Sequence, residues 1–212
     1  MADTVDLSDA IAHLRAADPV LRALIDEIGV ESLGDRRIGR PRDHYGALVR
    51  TIVGQQLSTR AARAIYERLT QRFGGRAPTP EEILADDPDE LRSSAGLSHA
   101  KVRYLRSLAE HVLDGSLELA TLGRLSDDEV TAELTAINGI GRWSADMFLM
   151  FHLQRPDVLP VGDLGIRKAF EVVYGLPALP ESEEMERIAE PWRPHRTVAC
   201  LFLWRSLSVV PV

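Results

Sequence analysis

The chain has 212 residues, of which 45% are hydrophobic and 27% charged, and its formal net charge at pH 7 is -7. This length suits one large globular domain or at most two small ones. Its one cysteine, Cys200, excludes an internal disulfide, a four-cysteine zinc site and a cysteine-ligated iron–sulfur cluster. No apolar run reaches the roughly 18 residues of a spanning helix. The polar N-terminus is unlike a secretory signal, so we expect a cytoplasmic protein.

The acidic total argues against a polyanionic ligand, but the charges are unevenly distributed. Residues 35–78 carry ten arginines against three acids, which is a local balance of +7. The acids concentrate at 1–34, 79–100 and 109–133. A local basic patch, rather than the charge of the whole chain, marks a polyanion site. A solvated arginine face is the alternative, and the charge pattern alone does not decide between them.

Apolar residues recur at three- and four-residue spacing along most of the chain, which predicts an all-α fold. No alternation typical of a strand persists for four residues. Local signals fix several helix ends: Asp18 precedes Pro19, Ser126 and Glu129 form a capping box, and Gly74-Gly75 ends a helix. The expected helices cover 8–17, 20–28, 45–57, 58–73, short segments from 80 and 88, 98–115, 126–137, 142–151, 163–173, 182–190 and 194–207.

The Pro- and Gly-rich stretch 74–80 is the strongest candidate linker. It predicts two helical lobes that share a cleft, one at about 35–75 and the other mainly at about 80–175. The termini, 1–34 and 176–212, are then expected to pack on these lobes.

The most specific feature is the string from Leu134 to Ala145, which reads Leu-Thr-Ala-Ile-Asn-Gly-Ile-Gly-Arg-Trp-Ser-Ala. Two glycines around one apolar residue, between two helices, predict a tight turn with close backbone approach. Backbone amides at the start of the second helix can bind a phosphate without any lysine. An ordinary helical hairpin packed in a bundle is the alternative, but the complete string favours a phosphate-binding hairpin.

This string resembles the helix-hairpin-helix of the DNA glycosylase superfamily named for that hairpin and for the Gly/Pro-rich loop and aspartate that follow it. Here the loop and aspartate read Arg155 to Asp163, and Asp163 lies 22 residues after Gly141. The stretches 48–62 and 96–105 also resemble the family, so the likeness covers about residues 40–206. It is strongest to the 3-methyladenine DNA glycosylase II type, which removes alkylated bases. The resemblance implies a DNA-binding cleft, a monomer, and duplex DNA with a damaged base as partner.

By this resemblance Asp163 is the catalytic residue. A glycosylase extrudes a nucleotide and stabilises cationic character on the sugar as the N-glycosidic bond breaks. A carboxylate at a helix start is kept ionised by backbone amides and the helix dipole. It can stabilise the sugar cation and position or deprotonate the attacking water. The alternative is a plain N-cap aspartate, which is the commoner reason for Asp at such a position.

The tryptophan at position 143 indicates that the protein has no lyase activity. In glycosylases that also cut the strand, a lysine at this hairpin position attacks the sugar carbon and forms a Schiff base. An indole cannot do so, and the chain has only two lysines, Lys101 and Lys168, neither in the motif. The resemblance therefore implies a monofunctional enzyme that leaves an abasic site.

Aromatic residues are the expected base-binding groups. An alkylated purine is cationic, and a cationic or electron-poor ring stacks favourably on an aromatic face. Trp204 matches the family's second pocket tryptophan. Tyr45 lies on the predicted helix 45–57, which carries Gln55 and Gln56 and should border the cleft. Tryptophan in a helical protein is more often a core residue, which remains the alternative for Trp204 and is our interpretation of Trp192.

The remaining site predictions concern the DNA backbone and an ion. The residues expected to contact DNA are Gln55, Gln56, Gly139, Ile140, Gly141 and Ser144. Gln56 aligns with a position where some relatives insert an apolar wedge, and glutamine is otherwise simply a good helix former. Relatives often hold a Na⁺ or K⁺ beneath the hairpin through backbone carbonyls, which would here be those of Thr135, Ile137 and Ile140. No cofactor is otherwise expected.

Competing functions remain at this point. Thr51 stands where glycosylases acting on A/G mismatches have a catalytic glutamate, and the cysteine count excludes their four-cysteine cluster, so both argue against that branch. The main rival is a non-catalytic helix-hairpin-helix protein that binds DNA or senses damage, and a weaker one is an all-α protein–protein scaffold. Asp163 favours the enzyme, because a binding module has no reason to keep an acid facing anionic DNA.

Overall fold

The computed structural model describes residues 7–33, 41 and 43–209. Over these ranges the chain forms twelve α-helices, three short 3-10 helices and no strand, which confirms the predicted all-α class. The α-helices are α1 (Leu7–Ala17), α2 (Pro19–Ile28), α3 (His44–Gly54), α4 (Thr59–Arg72), α5 (Pro80–Ala85), α6 (Pro88–Ala95), α7 (His99–Leu113), α8 (Asp127–Thr135), α9 (Arg142–Phe151), α10 (Leu164–Tyr174), α11 (Ser182–Ala189) and α12 (Arg196–Val209). Four arginines of the basic block, at 36, 37, 40 and 42, lie outside the described residues.

The helix ends follow the local signals. Asp18 accepts from the amides of Val20 and Leu21 at the start of α2. Ser126 and Glu129 form the expected reciprocal capping box on α8. No helix in the described ranges is both long and apolar enough to cross a membrane.

The chain divides into two compact units, residues 39–153 and residues 1–38 with 154–212. This division differs from the lobe boundaries that we predicted. The stretch 74–80 lies inside the first unit, because ion pairs join the helices on either side of it: Arg72 contacts Asp86 at 2.6 Å and Glu90 at 3.0 Å. Residues 154–175 group with both termini instead of with the preceding helices.

Helix α3 is the centre of unit 39–153. It packs on α4, α7 and α9, and Leu48, Val49, Ile52 and Val53 are at most 1% exposed. Helix α9, the second helix of the predicted hairpin, is thereby fixed against α3. This helix ends at Gly54 and not at 57 as predicted, so Gln55 and Gln56 lie in the turn that follows it.

The second unit is built around a buried polar junction. Trp192 is 0% exposed, and its indole N–H donates to Asp18 Oδ2 at 2.9 Å. The Tyr174 hydroxyl donates to the same oxygen at 2.7 Å. The structural role predicted for Trp192 is confirmed. Helix α12 packs on α10 and α2 in this unit.

Candidate functional site

The hairpin in unit 39–153 is formed by α8, the turn 136–141 and α9. Ile137 and Ile140 are 2% and 3% exposed, so both apolar residues of the turn anchor it in the core. Gly141 is the N-cap of α9 and no side chain caps this helix end. The first turn of α9 therefore begins at an exposed glycine, as an anion-binding helix start requires.

The two glycines of the turn have different roles. Gly139 has φ +92°, and a Cβ there would overlap the ring of Tyr104. Gly141 has open space around it, with no atom within 4 Å of a built Cβ. Glycine at 139 is thus needed for the fold of the hairpin, whereas glycine at 141 leaves room for a ligand.

Gln55, at the end of α3, contacts the hairpin directly. Its Nε2 atom donates to the Gly139 carbonyl at 2.7 Å and to Ser144 Oγ at 2.9 Å. The sequence placed Gln55 at the DNA without indicating this contact. No local pattern reveals a partner 84 residues away in the chain.

Two predicted DNA-contacting groups are engaged inside the hairpin. Ser144 is 2% exposed, its hydroxyl accepts from Gln55, and its amide donates to the Gly141 carbonyl at 2.9 Å. The Ile140 amide donates to the Ile137 carbonyl at 3.0 Å. These contacts place Ser144 within the hairpin and not on its surface, because its polar groups complete the turn. Gly139 and Gly141 remain the candidate phosphate-binding positions.

The turn between α3 and α4 presents unusual residues. Gln56 has φ +56°, in the left-handed region that a residue with a side chain seldom adopts. The next residue, Leu57, is 38% exposed although it is a large apolar side chain. The exposure of Leu57, next to the predicted DNA contact Gln56, is a feature that the sequence alone did not single out.

The aromatic residues of this unit have different surroundings. Trp143, in the first turn of α9, is half-buried. Tyr45 is 6% exposed, its hydroxyl oxygen is buried without a hydrogen-bond partner, and burial raises the pKa of the phenol. The base-binding roles of Trp143 and Tyr45 stay predictions.

A buried carboxylate on α9 was not anticipated. Asp146 is 1% exposed, and its Oδ1 accepts from Arg142 Nε at 2.9 Å while Oδ2 has no partner. Burial raises the Asp146 pKa to about 6, against the opposing effect of Arg142. The helical spacing of the two residues could have indicated this pair.

In the other unit, Asp163 is the N-cap of α10. Its Oδ1 accepts from the Ile166 amide at 2.8 Å and from the indole N–H of Trp204 at 2.9 Å. Two donors on one oxygen fix the orientation of the carboxylate. The structure therefore brings together Asp163 and Trp204, which the sequence assigned to separate roles.

Gly165 lies beside this carboxylate–indole pair. A Cβ on it would lie 3.0 Å from Asp163 Oδ1 and 3.2 Å from both Cδ1 and Nε1 of Trp204. Glycine in the first turn of α10 thus lets the indole reach the carboxylate.

The loop before Asp163 is held by residues that the sequence did not point to. Arg196 donates to Asp157 from Nε at 2.7 Å and from Nη2 at 2.9 Å. Thr197 accepts from the Val158 amide at 3.0 Å and donates to the Arg155 carbonyl at 2.7 Å. Helix α12 therefore supports both Asp163, through Trp204, and the loop that leads to it.

The predicted cation site consists of backbone oxygens, which suit a hard monovalent ion. Of the three carbonyls, that of Ile137 already accepts one hydrogen bond, which leaves its second lone pair for an ion. In the described ranges, no group of three or more His, Cys, Asp or Glu residues could hold a metal ion. The ion at Thr135, Ile137 and Ile140 stays a prediction.

Comparison with known proteins agrees with the family resemblance of the chain. The sequence profile of the HhH-GPD superfamily base excision DNA repair proteins matches residues 49–194. DNA-3-methyladenine glycosylase 1 of Schizosaccharomyces pombe is 35% identical over 202 residues, which are 94% of this chain and 87% of the relative.

Solved structures show the same likeness. The S. pombe 3-methyladenine DNA glycosylase in complex with abasic DNA has a TM-score of 0.84 and 34% identity, over 94% of this chain and 97% of that one. The DNA-3-methyladenine glycosidase of Bacillus halodurans has a TM-score of 0.75 and 37% identity, over 93% and 88%. The profile match includes the hairpin, Asp163 and the loop between them. The chain therefore belongs to the HhH-GPD superfamily of base excision DNA repair proteins.

Proposed function

We propose that the protein is a monofunctional DNA glycosylase that hydrolyses the N-glycosidic bond of alkylated purines of the 3-methyladenine and 7-methylguanine class. Its substrate would be a damaged base flipped from duplex DNA, and its product an abasic site. The observation that carries this proposal is the Asp163 carboxylate, held by Ile166 and Trp204. The 3-methyladenine glycosylase names of the similar proteins support the substrate class.

In the proposed reaction the glycosidic electron pair leaves with the base, and the sugar develops oxocarbenium character. Asp163 stabilises this cation electrostatically. A water oxygen then bonds to the sugar carbon, and its proton passes to the carboxylate. We assign the carboxylate of Asp163 as the group that positions this water.

An alkylated purine carries positive charge, so its departure needs little acid assistance. Stacking on an aromatic face contributes about 1–3 kcal/mol per base and tolerates different bases. Trp143, Trp204 and Tyr45 are the proposed base-binding residues. We accordingly propose a broad lesion range.

We propose simple hydrolysis without strand cutting because of where the two lysines of the chain lie. Trp143 occupies the hairpin position of the lyase lysine. Lys101 Nζ donates to the Val53 carbonyl at 2.7 Å, and Lys168 Nζ pairs with Glu171 at 2.7 Å. Neither amine lies in the hairpin motif, so neither is proposed as a nucleophile.

The DNA contacts are proposed for the hairpin. Gly139 and Gly141 would bind one phosphate through the backbone, with Gln55 and Gln56 at the adjacent turn. The protein would act as a monomer and would require no cofactor beyond a structural Na⁺ or K⁺ at the hairpin.

The test is base release from duplexes that contain 3-methyladenine, 7-methylguanine, 1,N6-ethenoadenine or hypoxanthine, under single-turnover conditions. We expect release of the alkylated bases, and a fall of about 10²-fold or more in Asp163→Asn. Asn is also a good N-cap, so the variant should keep its melting temperature.

Binding of duplex DNA without release of any base would instead favour the non-catalytic DNA-binding alternative. A covalent enzyme–DNA adduct trapped by borohydride would contradict the monofunctional mechanism. Near-normal excision by Asp163→Asn would remove Asp163 from its proposed role.

A further inference from the structure

We propose that Gln55 is a positioning residue that locks the α3–α4 turn to the hairpin, so that the two elements form one preformed DNA-binding surface. The DNA part of this inference rests on the proposed function. The locking itself concerns the free protein and can be tested without DNA.

The hydrogen bonds of Gln55 carry the inference. A primary amide nitrogen has two hydrogens. Both are used, one on the Gly139 carbonyl at 2.7 Å and the other on Ser144 Oγ at 2.9 Å. One side chain of the α3–α4 turn therefore holds both sides of the hairpin turn, the glycine with positive φ and the first turn of α9.

Hydrogen bonds at the end of α3 also hold the α3–α4 turn in place. Lys101 Nζ, on α7, donates to the Val53 carbonyl near the end of α3 at 2.7 Å. The backbone N–H of Gln55 donates to the Ile52 carbonyl at 3.3 Å. A left-handed backbone such as that of Gln56 persists where its surroundings over-determine it. The hydrogen bonds of the preceding residue, Gln55, supply this constraint.

Helix α7 supports the hairpin as well. The Tyr104 ring lies so close to Gly139 that no Cβ fits between them. Lys101 and Tyr104 are one turn apart on α7, so this helix holds the α3–α4 turn with one residue and the hairpin with the other. Gln55 adds the direct contact between the α3–α4 turn and the hairpin.

The consequence for DNA binding is preorganisation. A surface that is already ordered loses less conformational entropy on binding. If Gln55 acts in this way, its loss should weaken binding to every duplex alike, because the hairpin holds backbone phosphate. A glutamine that contacted the base opposite the lesion would instead change the opposite-base preference.

The first measurement is amide hydrogen exchange on the free protein with Gln55→Met, which keeps the length of the side chain but has no donor. We expect the amides of Ile140, Ser144 and Ala145 to exchange about 5–30-fold faster, as loss of two hydrogen bonds predicts. Gln71→Met, at an exposed position on α4, is the matched control and should leave these rates unchanged. Equal hairpin exchange in Gln55→Met and the wild type would overturn the proposal.

The second measurement is binding and excision with each of the four bases opposite the lesion. For Gln55→Met we expect about a 5–30-fold higher Kd for abasic duplex. The ratio of single-turnover excision rates between opposite bases should not change. A changed ratio would overturn the proposal. Absence of excision by the wild type would contradict the proposed function, while the exchange result would stand.

A variant of Ser144, which accepts one of the Gln55 hydrogen bonds, tests the same contact if Gln55→Met fails to fold. Ser144→Ala removes only the hydroxyl acceptor and should give part of the same increase in exchange. When both single variants fold, the double variant should add little to Gln55→Met alone. Unchanged hairpin exchange in Ser144→Ala, or fully additive effects, would contradict the coupling.

Discussion

The indole N–H of Trp204 donates to Asp163 Oδ1 at 2.9 Å, on the same oxygen that caps helix α10 through the Ile166 amide. The sequence assigned Trp204 to base binding and Asp163 to catalysis. The hydrogen bond adds a second role for the indole, which is to orient the carboxylate. A side chain on α12 thereby controls the geometry at the start of α10.

Replacement of Trp204 by phenylalanine separates these two roles. Phe keeps an aromatic face but has no donor for Asp163. A hydrogen bond to a charged group contributes about 1.5–3 kcal/mol, so we expect single-turnover excision to fall at least about 10-fold. Affinity for abasic duplex should change less. An excision rate equal to that of the wild type would show that the indole N–H does not matter for catalysis.

Gly165→Ala tests the same pair by crowding it. Gly→Ala in a helix ordinarily stabilises by roughly 0.5–1 kcal/mol. Here the new Cβ would lie 3.0 Å from Asp163 Oδ1, so we expect no gain in melting temperature and a several-fold lower excision rate.

Gly162→Ala is the matched control, because a Cβ there meets no atom within 4 Å. It should keep the excision rate. Equal effects of the two variants would argue against crowding at the carboxylate–indole pair.

The two hairpin glycines should respond differently to alanine. Gly139→Ala combines φ +92° with overlap of the Tyr104 ring, so we expect a loss of about 2 kcal/mol or more in the free energy of unfolding. Gly141→Ala should leave stability within about 0.5 kcal/mol, because a Cβ has open space there.

DNA binding should nevertheless weaken in Gly141→Ala, because that open space is where we propose the phosphate. Denaturant unfolding and titration with abasic duplex check the two variants. A destabilised Gly141→Ala with unchanged DNA affinity would contradict this division of roles.

Asp146 predicts a pH dependence of stability. Its pKa is raised from 3.8 to about 6 in the folded protein, so between these values the folded state binds more protons than the unfolded state. The contribution of Asp146 is therefore full below about pH 4 and is lost as pH rises through about 6. Linkage puts this loss at about 2–3 kcal/mol.

Asp146→Asn removes the titration. We expect the variant to gain stability relative to the wild type as pH rises from 5 to 8, as measured by urea unfolding at each pH. Asp128→Asn, at an exposed position in the first turn of α8, is the control and should parallel the wild type. A stability difference between Asp146→Asn and the wild type that is constant with pH would contradict the prediction.

Local features were predictable because they depend on neighbouring residues. The apolar spacing, the Asp18 cap, the capping box at Ser126 and the string around Gly139 each lie within a few residues of chain, where helix geometry and glycine conformation decide the outcome. The order of the hairpin, loop and Asp163 sufficed for the family resemblance. The helical class and the burial of Trp192 followed from the same patterns.

The partners of these residues were decided by tertiary structure. Gln55 meets Gly139 across 84 residues, and Trp204 meets Asp163 across 41, so no local periodicity encodes either contact. The grouping of residues 154–212 with the N-terminal helices likewise depends on which buried faces match. The sequence by itself determined which residue types stand at the hairpin and at the start of α10. Only packing decided that Gln55 holds the hairpin and Trp204 holds the carboxylate, because hydrogen bonds between distant segments form only where the core brings their donors and acceptors together.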